Sequence, residues 1–420
     1  MNGLIVIGGG PAGVMAALTA AQNGVETQLW ERNKSLGRKL AITGKGRCNI
    51  TNNAPLQELV RQISGNGAFM YSALSRFGPA EVMDFFEQDC ALPLKTERGR
   101  RVFPQSDRAA DVVAALRQQL ERAGVNVVCQ RRAKRLELRQ GRVCGVYDYS
   151  GACHSARAVV VACGGMTYPA TGSTGDGYQL AAQAGHSIVA PKPSLVPLET
   201  VEEWPKQLSG LSLKNVELRV TSGERLLAKD FGELLFTHFG LSGPIVLSLS
   251  RPICAQPQQG RGLGLLLDLK PALSLEQLDQ RLQRDFGQFS RRRFANSLEQ
   301  LLPASMIPVF VQLSGVEPEL PVNQLAKAQR RRIGELLKAL PLTVSGPRPL
   351  AEAIVTAGGV NVRELEPKTM ASRLAQGLYF AGEVMDVDGW TGGYNLQVAW
   401  SSGRAAGLAA AAYCQQNAEG

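Results

Sequence analysis

No C-x-x-C pair occurs among the eight cysteines, which are Cys48, Cys90, Cys129, Cys144, Cys153, Cys163, Cys254 and Cys414. Without paired spacing, neither a zinc site nor a disulfide framework is indicated. No stretch offers 18 clean apolar residues for a membrane span. The opening residues, MNGLIVIGGGPAGVMAALTAAQNG, lack the basic segment of an export signal, and glycines break their apolar run. These absences make a reducing cytoplasm the expected compartment. Histidine is scarce: only His154, His186 and His238 are present. His154 follows a hairpin turn and His186 a helix-ending glycine, so both read as structural. His238, beside the glycine-rich turn GLSGP, is the one candidate for contact with a ligand. That turn places Pro244 where a nucleophile elbow needs its last glycine. A hydrolase is therefore not expected, and Ser242 reads as a turn or cap ahead of Pro244. There is no short tandem repeat. Lysine and arginine exceed aspartate and glutamate by ten. That excess suits anionic ligands without establishing a nucleic-acid partner.

Glycine is abundant instead, at 45 of 420 residues against a usual share of roughly 7%. The first cluster follows the apolar run GLIVI at 3–7. There Gly8, Gly10 and Gly13 form G-x-G-x-x-G, followed by small residues at helical spacing. Residues 25–30 read as a second strand, with Glu31 at its end. This β-α-β context is what gives the motif its meaning. Gly8 permits the turn, Gly10 lets the backbone approach a pyrophosphate, and Gly13 lets helix and strand pack closely. Pro11, Ala12 and Gly13 open a helix whose N–H groups favour an anion. Glu31 can accept the ribose hydroxyls of an adenosine and disfavours a 2′-phosphate there, an argument that the neighbouring Arg32 weakens slightly.

A second glycine cluster closes the chain. GLYFAGE at 377–383 reads as a strand ending in Gly382 and Glu383. TGGYNLQ at 391–397 then leads into a small-residue helix. The N–H groups of Gly393, Tyr394, Asn395 and Leu396 at that helix start could stabilise negative charge on a reduced flavin. Glu383, Asp386 and Asp388 lack the spacing of a calcium loop, so no metal site is expected. Between the clusters, the texture changes from about Pro191. We therefore expect an FAD-binding domain over 1–189, an inserted mixed β/helical domain over 190–345, and a return to the first domain over 346–420. Asp107 is a candidate cap for an amphipathic helix over 107–123. Arg38, Lys39, Lys45 and Arg47 crowd one glycine-containing stretch, which reads as a loop contacting an anionic group. Cys48 has no second cysteine before Cys90, so no dithiol centre is expected. The basic runs at 130–135, 291–293 and 329–332 are separated along the chain and show no interleaving with aromatics. They read as solvated faces, and nucleic acid is not the expected partner.

Several stretches resemble the YhiN-like (BaiN-like) flavoproteins, which include aminoacetone-oxidase-type members. They are GGGPAG at 8–13, GRKLAITGKGRCNITN at 37–52, GGMTYPATGSTGDGY at 164–178, GLSGP at 240–244 and GLYFAGEVMDVDGWTGGYNLQVAWSSG at 377–403. The resemblance spans nearly the whole chain. It implies an α/β fold: a glutathione-reductase-type, Rossmann-like FAD-binding domain with a large inserted part that is β-barrel-like plus helical. It implies FAD contacts on the Gly8–Gly13 loop, Glu31, Arg38, Lys39 and the region from Gly382 to Leu396, with Arg32 and Glu383 as further candidates. The expected function is an FAD-dependent oxidoreductase acting by hydride transfer, with NAD(P)H as a transient donor and a small organic molecule as substrate. A small-amine oxidase using oxygen and a nucleic-acid-binding flavoprotein are the alternatives. No residue is singled out as general acid or base, and no oligomeric state is read.

Overall fold

Short, wholly buried strands set the architecture of the chain, whose computed structural model describes residues 3–288 and 290–417. β1 (Leu4–Ile7) is LIVI with every residue buried. It turns through Gly8 into α1 (Pro11–Gln22), which carries proline at its first position, where the missing N–H costs nothing. β2 (Thr27–Glu31) lies parallel beside β1. α2 (Arg38–Gly46) is kinked where Thr43, Gly44 and Lys45 leave helical geometry. β3 (Thr51–Asn52), β4 (Leu94–Glu97) and β5 (Arg101–Pro104) form a small sheet of their own. α3 (Ala109–Arg122) buries Val112, Leu116 and Leu120 at helical spacing. Asp107 does not cap it: Arg108 occupies the cap position without a side-chain bond, and Asp107 sits in the left-handed region at φ 56°. Its carboxylate is drawn to Arg47 and Lys95 instead.

β6 (Asn126–Cys129) adds to the outer edge of β2. β7 (Ala133–Arg139), β8 (Arg142–Asp148) and β9 (Cys153–Ser155) make an antiparallel three-stranded sheet. β10 (Ala158–Val161, AVVV) then returns to the other side of β1, again parallel and fully buried. α4 (Asp176–Gln183) and β11 (Ile188–Ser194) follow.

The second compact unit, Ser194–Glu352, is built on a closed six-stranded antiparallel barrel. Its strands are β12 (Leu198–Thr200), β13 (Ser212–Ser222), β14 (Arg225–Thr237), β15 (Gly240–Ser242), then β16 (Gly264–Asp268) and β17 (Leu340–Pro347). Closure leaves no sheet edge unpaired. Pro244 opens α5 (Pro244–Cys254) behind a Gly243 cap, so Ser242 ends a strand rather than capping the helix. α6 (Leu275–Gln288) and α7 (Lys327–Lys338) complete the helical part. Its core is separate from that of the first unit and includes Phe236, Leu265, Leu282, Phe310 and Leu337.

Beyond Glu352 the chain rejoins the first unit. β18 (Val355–Val360) pairs with β11, and β19 (Leu378–Phe380) pairs parallel with β10. The main sheet thus reads β19-β10-β1-β2-β6, all parallel. The expected boundaries at 189/190 and 345/346 fall inside β11 and β17. The two compact units divide a few residues further on, at Pro193/Ser194 near the end of β11 and at Glu352/Ala353 beyond β17.

α8 (Tyr394–Gln416) lies against α1. A Cβ at Gly403 would overlap the Ala12 carbonyl oxygen, and one at Gly407 the Ala16 carbonyl oxygen. The two helices therefore touch backbone to backbone and run in the same direction, Gly403 to Gly407 along Ala12 to Ala16. We expect Gly403→Ala to destabilise the fold by roughly 1–3 kcal/mol through overpacking. Gly287→Ala, in an exposed helical position with open space around it, should be neutral or stabilising. Chemical denaturation of both variants checks this.

Candidate functional site

Because the main sheet is parallel, the loops after β1, β2, β10 and β19 all leave from one edge. Three of them carry glycine at or near their start: Gly8 after β1, Gly164 and Gly165 after β10, and Gly382 after β19. This carboxyl edge is where open α/β sheets bind ligands.

The first loop is shaped by overlap and space. At Gly8 (φ 115°) a side chain would meet the Ala162 carbonyl, and at Gly13 the Gly8 carbonyl. At Gly10 nothing lies within 4 Å of a would-be Cβ, so the backbone there faces open space. The N–H groups of Ala12 and Gly13, in the first turn of α1, have no acceptor within the helix. A shallow cleft open to solvent lies beside them, with Gly9, Gly10, Pro11, Leu36 and Val113 among its lining. Glu31 is buried at 7% exposure. Its Oε2 accepts the Gly9 N–H at 2.9 Å; its Oε1 accepts the Asn33 backbone N–H and side-chain amide, each at 2.7 Å. A carboxylate has about four acceptor positions, so three are already filled. Glu31 is thus fixed to the loop it serves, with room for a single further donor.

Arg32, beside it, is directed to α4. It bonds the Thr174 hydroxyl and pairs with Asp176 at 3.1 Å. Asp176 also takes a two-pronged contact from Arg132 at 2.7 and 2.9 Å. Burial raises the Asp176 carboxyl, but the bonds from Arg132 and Thr174 and the Arg32 charge outweigh it, and the net shift is downward. Arg38 is exposed and reaches the Asn33 side chain at 2.9 Å.

Lys39 and Glu383, some 340 residues apart in sequence, meet here. The Lys39 Nζ is 2.8 Å from Glu383 Oε2 and donates to the Thr167 hydroxyl at 2.6 Å. Glu383 Oε1 accepts the Thr356 N–H at 2.8 Å, and Thr356 in turn accepts the Met166 N–H at 2.8 Å. This network ties the loops after β10 and β19 to α2 and β18. Both charges are spent on each other, so neither Lys39 nor Glu383 stands as an isolated charge.

The rest of the basic stretch is not one ligand-facing surface, as its composition suggests. Arg47 is clamped by Glu97 and Asp107, and its guanidinium lies 4.1 Å from the centre of the Phe103 ring. The Glu97 and Asp107 carboxylates raise its pKa. It fastens α2 to the β3–β5 sheet. Lys45, by contrast, is exposed and held at φ 59°. Cys48 is fully buried, and burial pushes its thiol up to about 12. All eight cysteines are free.

The second helix start is assembled by segments far from it in sequence, which carry no local sign of the meeting. Gly393 caps α8 at φ 101°, and a side chain there would meet the Thr51 carbonyl at 2.5 Å. Asn52 donates to the Gly392 carbonyl at 2.9 Å, and the Thr51 hydroxyl bonds the buried Gln397 amide. The Asn395 side chain closes the preceding turn through Gly389 N–H and carbonyl, both at 2.8 Å. Tyr394 is buried and Leu396 half-buried. The Asn395 side chain is thus engaged within its own turn. Gly382 donates to Ser402 Oγ at 2.9 Å, and a Cβ on it would lie 2.7 Å from that of Ala12. The signal for Thr51 and Asn52 was NITNN at 49–53, but nothing local says that it meets a turn 340 residues away.

The histidines are placed as follows. His154 bonds Asp148 at 2.9 Å. His186 is buried between Glu364 and Ser372 at 3.1 and 2.7 Å, and burial lowers its pKa. His238 is exposed in the β14–β15 turn, edge-on to Phe239. Among the described residues, no three His, Cys, Asp or Glu side chains are grouped to hold a metal ion, and no helix is long and apolar enough to cross a membrane.

Residues 2–409 match the HI0933-like protein Rossmann domain family. The chain is 33% identical over 414 residues to the 3-dehydro-bile acid delta(4,6)-reductase of Clostridium scindens, covering 98% of this chain and 99% of that one. It is 31% identical over 408 residues to the ribosomal RNA dihydrouridine synthase of Haemophilus influenzae, covering 96% and 97%. Among solved structures, the 3-ketosteroid delta1-dehydrogenase of Sterolibacterium denitrificans shares the fold: TM-score 0.54, 14% identity, with 97% of this chain and 99% of that one covered.

The thiols give a prediction. Native titration at about pH 8 should label the exposed Cys153 first and leave Cys48 unreacted. Cys48→Ser should keep flavin-dependent turnover within about twofold, since a buried thiol this far above neutrality supplies no thiolate. Two extra titratable thiols on anaerobic reduction, absent from that variant, would contradict it.

Proposed function

The chain belongs to the HI0933-like family and is an FAD-dependent oxidoreductase; on that premise we propose that it performs NAD(P)H-linked reduction of a carbon–carbon double bond conjugated to a carbonyl in a small organic substrate. The observation that carries the cofactor half is the stagger of two glycine-capped helix starts. Gly403 meets Ala12, so α8 begins eight residues further back along their common direction than α1 does, roughly 12 Å at 1.5 Å per residue. Two anion-favouring N-termini that point the same way, set apart like this, suit the pyrophosphate and the flavin of one extended FAD.

In this reading the Ala12 and Gly13 N–H groups hold the pyrophosphate, where Gly10 leaves the approach open. Glu31 accepts one ribose hydroxyl at its remaining position. The N–H groups at the start of α8, from Gly393 to Leu396, stabilise negative charge on the pyrimidine edge. The Lys39–Glu383 network keeps the strand-end loops at the spacing this needs. When bound, FAD supplies the hydride-transfer chemistry. The substrate half is supported by the names of the relatives. A delta(4,6)-reductase of a 3-dehydro-bile acid and a dihydrouridine synthase each saturate a double bond conjugated to a carbonyl, one in a steroid and one in uracil. A second reading, in which the conjugated substrate is a base in RNA, is favoured by the basic sheet β7–β9.

We expect FAD to be non-covalent and released on denaturation. Glu31→Ala should weaken it by roughly 1.5–3 kcal/mol through loss of a charged hydrogen bond, read by equilibrium FAD titration with circular dichroism unchanged. Unchanged affinity would remove Glu31 from the site. For the reaction, anaerobic stopped-flow mixing with NADH and NADPH should bleach the flavin, and a conjugated enone should then restore its colour. Fast bleaching by a small amine with neither nicotinamide effective, and reoxidation by oxygen, would make the protein an amine oxidase instead.

A further inference from the structure

The sheet β7–β8–β9 carries a surface that the cofactor site does not use. Between residues 131 and 142, six cationic side chains stand against a single carboxylate, Glu137. That carboxylate is held by Arg135 at 3.4 Å and Arg139 at 3.1 Å, so it does not repel an anion as an isolated charge would. Asp148, the other acid of these strands, is buried and turned onto Ser150 and His154. Arg132 is paired with Asp176 and Arg131 lies 3.9 Å from Asp148, which leaves Lys134, Arg135, Arg139 and Arg142 against Glu137, and the face is positive on balance.

It also carries two arginine–tyrosine pairs, which the linear order conceals. β7 and β8 run antiparallel with Arg135 opposite Tyr147. The Arg135 guanidinium lies 3.3 Å from the centre of the Tyr147 ring, and that of Arg132 lies 4.3 Å from the Tyr149 ring. Neither stack is sunk in the core: Arg135 is 49% exposed and Tyr149 is 51% exposed. A guanidinium seated over a tyrosine ring still has an outer face to offer. Such planes stack unpaired bases, and flanking cations meet the phosphates between them. An acidic protein would use the charges but has no need of the planes.

We propose that the outer face of β7–β9 docks single-stranded RNA, with bases stacking on Arg135 and Tyr149 and phosphates pairing with Arg139 and Lys134. This rests on the reading that a base in RNA is a substrate, and it names where the strand outside the reacting base is held.

The test uses the full-length, FAD-loaded protein and a labelled, uridine-rich single-stranded RNA oligonucleotide, followed by fluorescence anisotropy over a salt series. Tyr149→Ala with Arg135→Ser should weaken binding by about tenfold or more, as expected where stacking on these planes holds the bases. Arg135→Lys, which keeps charge but not the plane, should weaken binding without changing the salt slope. Arg139→Glu should lower that slope by about 0.7 for each phosphate it leaves unpaired. Arg291→Ser with Arg293→Ser, an exposed arginine pair elsewhere, should leave affinity within about twofold. Retained flavin content and circular dichroism show that the variants fold. No RNA binding, binding indifferent to the sheet variants, or an equal weakening in the Arg291 and Arg293 variant would each overturn the proposal. The two readings fail separately. Enone reduction without RNA binding sinks the docking surface alone. RNA binding through the sheet, with neither enone nor RNA uridine reduced, sinks the reaction alone.

Discussion

The backbone contact between α1 and α8 is the constraint on which the rest of the site depends. A helix pair normally meets through side chains at about 8–10 Å between axes. Here Gly403 and Gly407 leave no side chain between α8 and the Ala12 and Ala16 carbonyls of α1. The final helix of the chain is thereby fixed in position and direction against the first. The same closeness is demanded at Gly382, whose Cβ would press on Ala12. The loop after β19, the start of α1 and the shaft of α8 are thus one packed unit, although they come from opposite ends of the sequence.

Electrostatics then secures what packing positions. The Lys39–Glu383 pair is partly buried, with each side chain about one-fifth exposed. It is backed by Thr167 and Thr356 rather than left as a bare ion pair, and fully bonded networks of this kind specify geometry more than they add stability. Arg47, Lys95, Glu97 and Asp107 do the same for the approach of α2 to the small sheet. Much of the basic excess around the site is consumed in this way. The backbone N–H groups at the two helix starts, by contrast, need no counter-charge and do not titrate.

The elements legible in the sequence were those whose signal is local. The run GLIVI followed by G-x-G-x-x-G defined β1, its turn and α1, because overlap and open space at Gly8, Gly10 and Gly13 are properties of one short segment. The small-residue helix at the end of the chain and its glycine start were readable for the same reason. What depends on distant partners was not. Nothing near Lys39 announces Glu383, and nothing near Asn52 announces Gly392. Asp107 looked like a cap because Asp before an amphipathic run usually is one, yet Arg47 and Lys95 compete for its carboxylate. The basic run at 130–135 showed no interleaved aromatics because Tyr147 and Tyr149 come from the neighbouring strand and the turn after it, and a hairpin mixes residues across strands rather than along one.

The central claim is that one FAD spans two parallel helix starts staggered by about two turns. A crystal structure of the FAD-loaded chain measures this directly. The account predicts pyrophosphate oxygens about 3 Å from the Ala12 and Gly13 nitrogens, with the pyrimidine edge of the flavin against the backbone from Gly393 to Leu396. A pyrophosphate placed as expected but with the flavin turned away from the start of α8, or a dinucleotide bound elsewhere on the sheet edge, would contradict it.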